Sequence, residues 1–447
     1  MSLETLDRDW IERVAGGTIE RLEPMAGGGS RGMFLLDVAT SDGLRELVVR
    51  TETGGGPYAA TDLVALGREA TVYRALAGRD LATPELVGLS DDGQALVASR
   101  LSGSNDYRGI ADPDVQQSVH DSYIEHLARL HDQDVDELAL DLPAPADDNH
   151  ARAWLATWDQ LFRTQVRRPA PLLRFAITFL REHAPDNLDR AALCHGDVGP
   201  GNFLHEDGKI TGMLDWELCH LGDPHDDLGM LALRAHQLNG FGDLNADLTL
   251  YENLRGVELD RTRIRHYRAV ALVLALTTST MQLDSEATAR VQVPLFLHLV
   301  PVLQLLLAQS LAELVKVELP AVEDPAGHDD VEGLEGLAAL REEIAQMPVA
   351  DSSLLGAGPN ELAMHAEAAL RLGDAVRQLE IETASKLLDV HADTHADALS
   401  AVDAAVANGS VAPEAFLTWA WQSGRARRLL WPAWVPVADI PLIPIDD

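Results

Sequence analysis

The chain has 447 residues, 46% of them hydrophobic, which is enough for about two or three domains with sizeable cores and excludes global disorder. Its 71 acidic side chains against 35 basic ones give a formal charge of −36. A nucleic-acid partner or an anionic membrane surface calls for a basic footprint that the chain as a whole lacks. The opening residues, "MSLETLDRDWIERV", are acidic and mixed, unlike a signal peptide. The two cysteines, Cys194 and Cys219, supply no disulfide framework and point to a reducing, cytoplasmic setting.

Residues 17–101 read as β-rich. "TIERLEPMAGGG", "RGMFLLDVAT" and "LRELVVRT" are short apolar or alternating runs punctuated by Gly, Ser and Asp. "TDLVALGREATVYRALAG" then spaces Leu63, Leu66, Ala70, Tyr73 and Leu76 as a helix does, from Thr61 to Gly78. "PELVGLS" and "QALVASRL" give two further strands. The order is three strands, a helix and two strands: a small α+β lobe.

From about 112 to 316 the pattern is mostly helical, apart from short strands between 193 and 215. The run "VQVPLFLHLVPVLQLLLAQSLAELV" has no formal charge before Glu313. Its prolines, glutamines and His298, without cationic flanks, make it a buried helix rather than a membrane span. "ELPAVEDPAGHDDVEG" reads as a linker, and residues 330–435 as further helices.

The chemistry concentrates in "CHGDVGPGNFLHEDGKITGMLDWELCHLGDPHDDLG". Its "NFLHEDGKITGMLDW" part is a predicted hairpin, which puts Asp197 and Asn202 on a loop and Asp215 at a strand end. A carboxylate, an amide oxygen and a second carboxylate suit a hard cation such as Mg²⁺. The spare carboxylate can orient a hydroxyl and accept its proton, which is the apparatus of phosphoryl transfer. Upstream, "GGGSRG" fits G-x-G-x-x-G between two strands, where backbone amides can approach phosphates. None of the three lysines (Lys209, Lys316, Lys386) lies in the first 208 residues.

The interval from Asp197 to Asn202 is that of the protein-kinase catalytic loop, H-R-D-x-x-x-x-N, with Gly196 in the place of the arginine. With "HGD…N…LDWE…GDPHDDLG" in order, the sequence resembles the aminoglycoside-phosphotransferase and choline-kinase-like family. "LDWELCHLGDP" is most similar to its branch associated with acyl-CoA dehydrogenases. The resemblance covers roughly residues 17–316. It implies an α+β, protein-kinase-like two-lobed fold: an ATP-clamp lobe at 1–101, a catalytic lobe at 102–320 and an added helical extension at 321–447. It makes Asp197 the catalytic base, Asn202 and Asp215 the Mg²⁺ ligands, and His195 and Asp227 the braces of the loop. Glu217 and Asp223 stay open between supporting and purely structural roles. Gly27, Gly29, Ser30 and Gly32 would cover the ATP phosphates, and Arg50 would replace the usual lysine and pair with Glu69. Ser99 and Leu101 would lie at the hinge beside adenine.

The implied function is ATP- and Mg²⁺-dependent transfer of the γ-phosphoryl group to a hydroxyl of a small molecule, a hydroxyacyl-CoA or another metabolite. An aminoglycoside or macrolide phosphotransferase is the alternative, and a nucleotide-binding regulator without transfer is a third reading, supported only by the missing lysine. No nucleic-acid or membrane partner is expected. The Cys-His pairs at 194–195 and 219–220 lack zinc spacing. "HADTHAD" puts His391 and His395 one predicted helical turn apart. "RTQVRRPAPLLR" gathers Arg163, Arg167, Arg168 and Arg174, either as an anion site for CoA or a phosphorylated acceptor or as surface arginines offsetting acids. Trp431 and Trp434 are expected to dock the tail on the kinase core.

Overall fold

The structure, a computed structural model, describes residues 6–25, 31–52, 65–142, 147–236, 241–284, 293–328, 333–345 and 359–446. Contacts divide the chain into two compact units: Met1–Trp154 with Pro185–Tyr267 and Ile445–Asp447, and Leu155–Ala184 with Arg268–Pro444. This division cuts across the expected segments 102–320 and 321–447. The physical reason is long-range pairing, such as the two-pronged Arg174–Asp403 ion pair at 2.9 and 2.8 Å, which ties a mid-chain helix to the tail.

The first unit opens with α1 (Arg8–Ala15), which the sequence reading left unassigned. Asp7 caps it by accepting the Trp10 amide at 2.9 Å, and Ile11 and Ala15 bury against the sheet residues Leu36, Val38 and Val49. The strands β1 (Thr18–Pro24), β2 (Arg31–Thr40) and β3 (Gly43–Glu52) come next, then α2 (Leu66–Leu76), β4 (Leu86–Leu89) and β5 (Ala95–Ser99). They form one sheet in the order β1-β2-β3-β5-β4, with every pairing antiparallel. The three strands, helix and two strands expected are all present. Along β3 the buried Leu47, Val49 and Thr51 alternate with Val48 and Arg50, so the period of two sends Arg50 to the opposite face.

Helices α3 (Pro113–His131), α4 (Val135–Leu138), α5 (His150–Gln165) and α6 (Pro171–Glu182) follow. The strands β6 (Ala192–Cys194), β7 (Phe203–Glu206), β8 (Lys209–Met213) and β9 (His220–Gly222) make two small antiparallel ladders, β6-β9 and β7-β8. The β7-β8 hairpin is the one expected, and Asp207 and Gly208 both have positive φ in its two-residue turn. Helices α7 (His225–Arg234), α8 (Leu244–Arg255) and α9 (Arg261–Asp284) come next.

The second unit is helical: α6, the far parts of α5 and α9, then α10 (Val293–Val315), α11 (Leu334–Ala345), α12 (Pro359–Leu388), α13 (His395–Ala407), α14 (Pro413–Arg428) and α15 (Val435–Ala438). Among the described residues one helix, Leu295–Val315, is long and apolar enough to cross a membrane, yet 61% of it is buried inside the protein. Gly424 of α14 lets the two helices meet, because a Cβ there would sit 2.8 Å from the Leu305 side chain. Trp434 stacks on His298 of α10 at 4.0 Å and Trp431 on His365 of α12 at 3.8 Å. Trp434 therefore docks on α10, within the expected catalytic lobe, and Trp431 on α12 of the extension. His391 precedes α13, whose N-cap is Thr394, so the two histidines of "HADTHAD" do not share a helix face.

Candidate active site

The loop after β6 is fixed from below by a fully buried carboxylate. Asp227 of α7 accepts the amide of His195 at 2.7 Å and that of Gly196 at 2.8 Å. His131 of α3 meets the same carboxylate at 3.0 Å and bonds the Tyr251 hydroxyl through its other nitrogen at 2.6 Å. Arg255 donates to that hydroxyl at 2.8 Å. Burial holds His131 below its ordinary value. Burial works against the Asp227 charge, but the His131 hydrogen bond and the Gly196 amide outweigh it and leave Asp227 below its ordinary value. Its neighbour Asp226 is pushed the other way by burial beside Asp227 and Asp223.

Gly196 has φ +83°, and a Cβ there would come within 2.2 Å of the Leu218 carbonyl oxygen. The position where kinases carry arginine therefore admits only glycine here. His195 is buried, accepts the Asp197 amide through Nδ1 at 3.3 Å and donates from Nε2 to the Leu214 carbonyl at 2.9 Å. It thereby joins the Asp197 loop to the strand end that carries Asp215. The Leu214 amide closes the same link by donating to the Asn202 carbonyl at 2.8 Å.

Around this frame stand the reactive side chains. Asn202 donates its amide to both the backbone oxygen and Oδ2 of Asp197, each at 2.8 Å. Arg234 donates to Asp197 Oδ1 at 2.6 Å. Asp215 sits in the left-handed region, φ 61° and ψ 60°, a conformation that a non-glycine residue keeps only where its surroundings dictate it. Its Oδ1 accepts Arg50 at 3.0 Å, and Arg50 also pairs with Glu69 of α2, which is buried and receives the Tyr73 hydroxyl. Burial opposes the Arg50 charge, and the Glu69 and Asp215 carboxylates outweigh it and hold Arg50 above its ordinary value. The Asp197 and Asp215 side chains are 26% and 33% exposed, open to a ligand where Asp227 is not.

The predicted site residues are thus brought together at Asp197, His195, Asn202, Asp215, Arg50 and Glu69. Gly27, Gly29 and Ser30 lie outside the described residues. Gly32 lies in β2 opposite Thr51. The Ser99 hydroxyl accepts the Glu85 amide at 2.8 Å, and the Leu101 side chain lies against Gly212 of β8. Asp223 is held by Arg263 at 2.8 Å and by the His225 ring at 2.6 Å, and Glu217 is buried in a 3-10 turn. Sequence reasoning missed Arg234, His131, Tyr251 and Tyr123, whose hydroxyl accepts the Gly199 amide at 2.9 Å. Arg234 had a signal: it lies seven residues after Asp227, two turns along one helix face.

His131, Cys194 and Asp227 also approach one another closely enough to suggest a metal. Asp227 already serves two amides and an imidazole, and burial pushes the Cys194 thiol up, away from the thiolate a metal needs.

The scaffold is α+β and kinase-like, with one open carboxylate on a braced loop and a second held by a sheet cation. The chain belongs to the phosphotransferase enzyme family known as APH, whose model matches residues 22–267. It is 25% identical over 208 residues to mouse acyl-CoA dehydrogenase family member 10, covering 44% of this chain and 19% of that protein. It is 31% identical over 182 residues to the viomycin phosphotransferase of Streptomyces vinaceus, covering 36% of this chain and 60% of that one. Among solved structures, a Ralstonia eutropha protein assigned to the aminoglycoside phosphotransferases superposes with a TM-score of 0.51 at 21% identity, covering 63% of this chain and 90% of that chain. That likeness shows the kinase-like fold.

Proposed function

We propose that the protein transfers the γ-phosphoryl group of ATP, with Mg²⁺, to a hydroxyl of a small metabolite. The observation that carries this reading is Asp197: a partly exposed carboxylate on a loop fixed by the buried Asp227, five residues before an amide and joined through His195 to the strand end that carries Asp215.

The donor set fits the metal. Asn202 spends its Nδ2 on Asp197, which leaves its amide oxygen as the free end. Asp215 gives one oxygen to Arg50 and keeps the other. Asn202 and Asp215 would hold Mg²⁺, which supplies charge neutralisation for the phosphates when bound. The chain's own residues do the rest. Arg50, locked by Glu69, presents a permanent positive charge to phosphate oxygens. Asp197 orients the acceptor hydroxyl and takes its proton as the acceptor oxygen bonds to the γ-phosphorus. The bond from that phosphorus to the bridging oxygen breaks, and ADP leaves with the electron pair. Arg234 fixes the carboxylate's direction.

The match to a protein named as an acyl-CoA dehydrogenase family member supports a hydroxyacyl-CoA or similar metabolite as acceptor. The match to viomycin phosphotransferase supports an antibiotic as the second reading. Mg²⁺-dependent ADP formation across aminoglycosides, macrolides, sugars, amino alcohols and hydroxyacyl-CoAs separates them. Stimulation by hydroxyacyl-CoAs, lost in Asp197→Ala, is the expected result; stimulation by antibiotics alone would move the assignment. Failure to bind ATP at all would leave a protein without phosphotransfer.

A further inference from the structure

The second unit contains a cavity of about 410 Å³ whose lining includes Arg163, Arg167, Arg168, Arg174, Phe162 and Val166. Three of these arginines meet carboxylates. Asp159 receives Arg163 at 2.8 Å and is shared with Arg181. Asp284 receives Arg168 at 2.7 Å and also the Arg167 amide at 2.8 Å, which pins the turn between α5 and α6. Asp403 of α13 holds Arg174 through both oxygens. The Arg167 guanidinium meets no carboxylate among the described residues. Four guanidinium groups therefore line the cavity, three of them paired with carboxylates, in a chain whose formal charge is −36.

The imbalance has a chemical meaning. Four guanidinium groups converge on one cavity, one of them without a carboxylate among the described residues, and a phosphate monoester carries about −1.5 to −2 near neutral pH. Guanidinium forks match phosphate oxygens in pairs, which a carboxylate with one charge would not saturate. The Arg163 and Arg168 side chains are 60% and 46% exposed, so a ligand can reach them while they stay paired with Asp159 and Asp284. Phe162 and Val166 add an apolar wall for an organic body, and the volume lies within the range of about 300–1,000 Å³ usual for small-molecule sites. We propose that this cavity binds a small organic phosphate monoester. It uses none of the residues placed around Asp197, and the inference does not depend on the phosphotransfer reading.

The test is a calorimetric titration of phenyl phosphate, with inorganic phosphate beside it, into the full-length chain in EDTA at physiological ionic strength, where isolated surface charges are screened. The variant is Arg163→Ala with Arg167→Ala. Asp159 keeps Arg181, and Arg167 leaves no carboxylate bare, so the fold is expected to survive; an unchanged melting temperature checks it. Saturable binding of phenyl phosphate is expected, tighter than that of inorganic phosphate, weakened about ten-fold or more in the double variant and unchanged in Arg50→Ala. Should the double variant not fold, Arg167→Ala alone gives the same reading with a smaller loss. No saturable binding, equal affinity in the variant, or loss of binding in Arg50→Ala would each overturn the proposal, the last by placing the phosphate beside Arg50. Equal affinity for both probes would overturn the organic ligand class.

Discussion

Asp227 in the first unit and Glu380 in the second are both buried and both held below their ordinary value, but their partners differ in kind. Asp227 accepts two backbone amides of a loop and one imidazole. Glu380 of α12 accepts side chains only: His395 at 2.7 Å, Arg427 at 2.6 Å and the Ser423 hydroxyl. A carboxylate that grips main chain sets the shape of an irregular segment, and so places the open Asp197 next to it. A carboxylate that grips side chains ties regular helices together and leaves their backbones as propensity and packing made them. The same burial serves chemistry in one unit and cohesion in the other.

The strongest way to break this comparison is to delete the tail. Ending the chain after residue 320 strips α14 from α10, whose Leu303, Leu305, Leu306, Leu307 and Leu311 are buried. Each such side chain is worth about 1.5–3 kcal/mol of burial, so the truncated protein is expected to show no cooperative thermal transition by circular dichroism. A cooperative melt would mean that the tail is accessory.

Next come the two carboxylates themselves. Asp227→Ala and Glu380→Ala each leave buried partners bare and are expected to cost about 3–5 kcal/mol in denaturant melts. They should part in function. At a temperature where both variants remain folded, Asp227→Ala loses nearly all turnover, whereas Glu380→Ala keeps its kcat. Equal kcat losses would remove the distinction drawn above.

The pH dependence sharpens it. Burial opposes the Glu380 charge, but Arg427, His395 and Ser423 bring the carboxyl down to about 2. A depressed carboxyl stabilises the fold above its unfolded value, about 4.3, and loses that contribution as pH falls toward about 2. The stability gap between the wild type and Glu380→Gln is therefore expected to be full at neutral pH and to narrow below about pH 4.3. A gap independent of pH would contradict the charged state of Glu380.

The smallest effect is at Arg234. Arg234→Lys keeps the charge but loses the planar guanidinium whose one hydrogen bond orients Asp197. A fall in kcat of a few-fold to about ten-fold, with the ATP KM unchanged, is expected from the loss of one charge-assisted hydrogen bond. A rise in the ATP KM alone would place Arg234 with the nucleotide instead.

Much of the site was legible because its pieces are local. The interval from Asp197 to Asn202, the hairpin turn at Asp207-Gly208 and the helical spacing around Glu69 each declare themselves within a few residues. The order of strands and helix along the first 101 residues followed from the same short-range signals. What escaped depends on distance along the chain. His131 reaches Asp227 from α3 and Tyr251 reaches His131 from α8, and no periodicity announces which helix will lie beside which. The interleaving of the two units was hidden for the same reason. The "HADTHAD" misreading has a local cause: Thr394 competes for the helix start and caps it, so helical spacing does not extend back to His391.

The most direct test of the central claim is to separate binding from turnover at Asp197. MgATP affinity would be measured by titration for the wild type and Asp197→Ala, with acceptor-stimulated ADP formation on the same preparations. The account predicts ATP affinity unchanged within about three-fold and turnover reduced by about 10²–10⁴. An Asp197→Ala protein that turns over at the wild-type rate would contradict it.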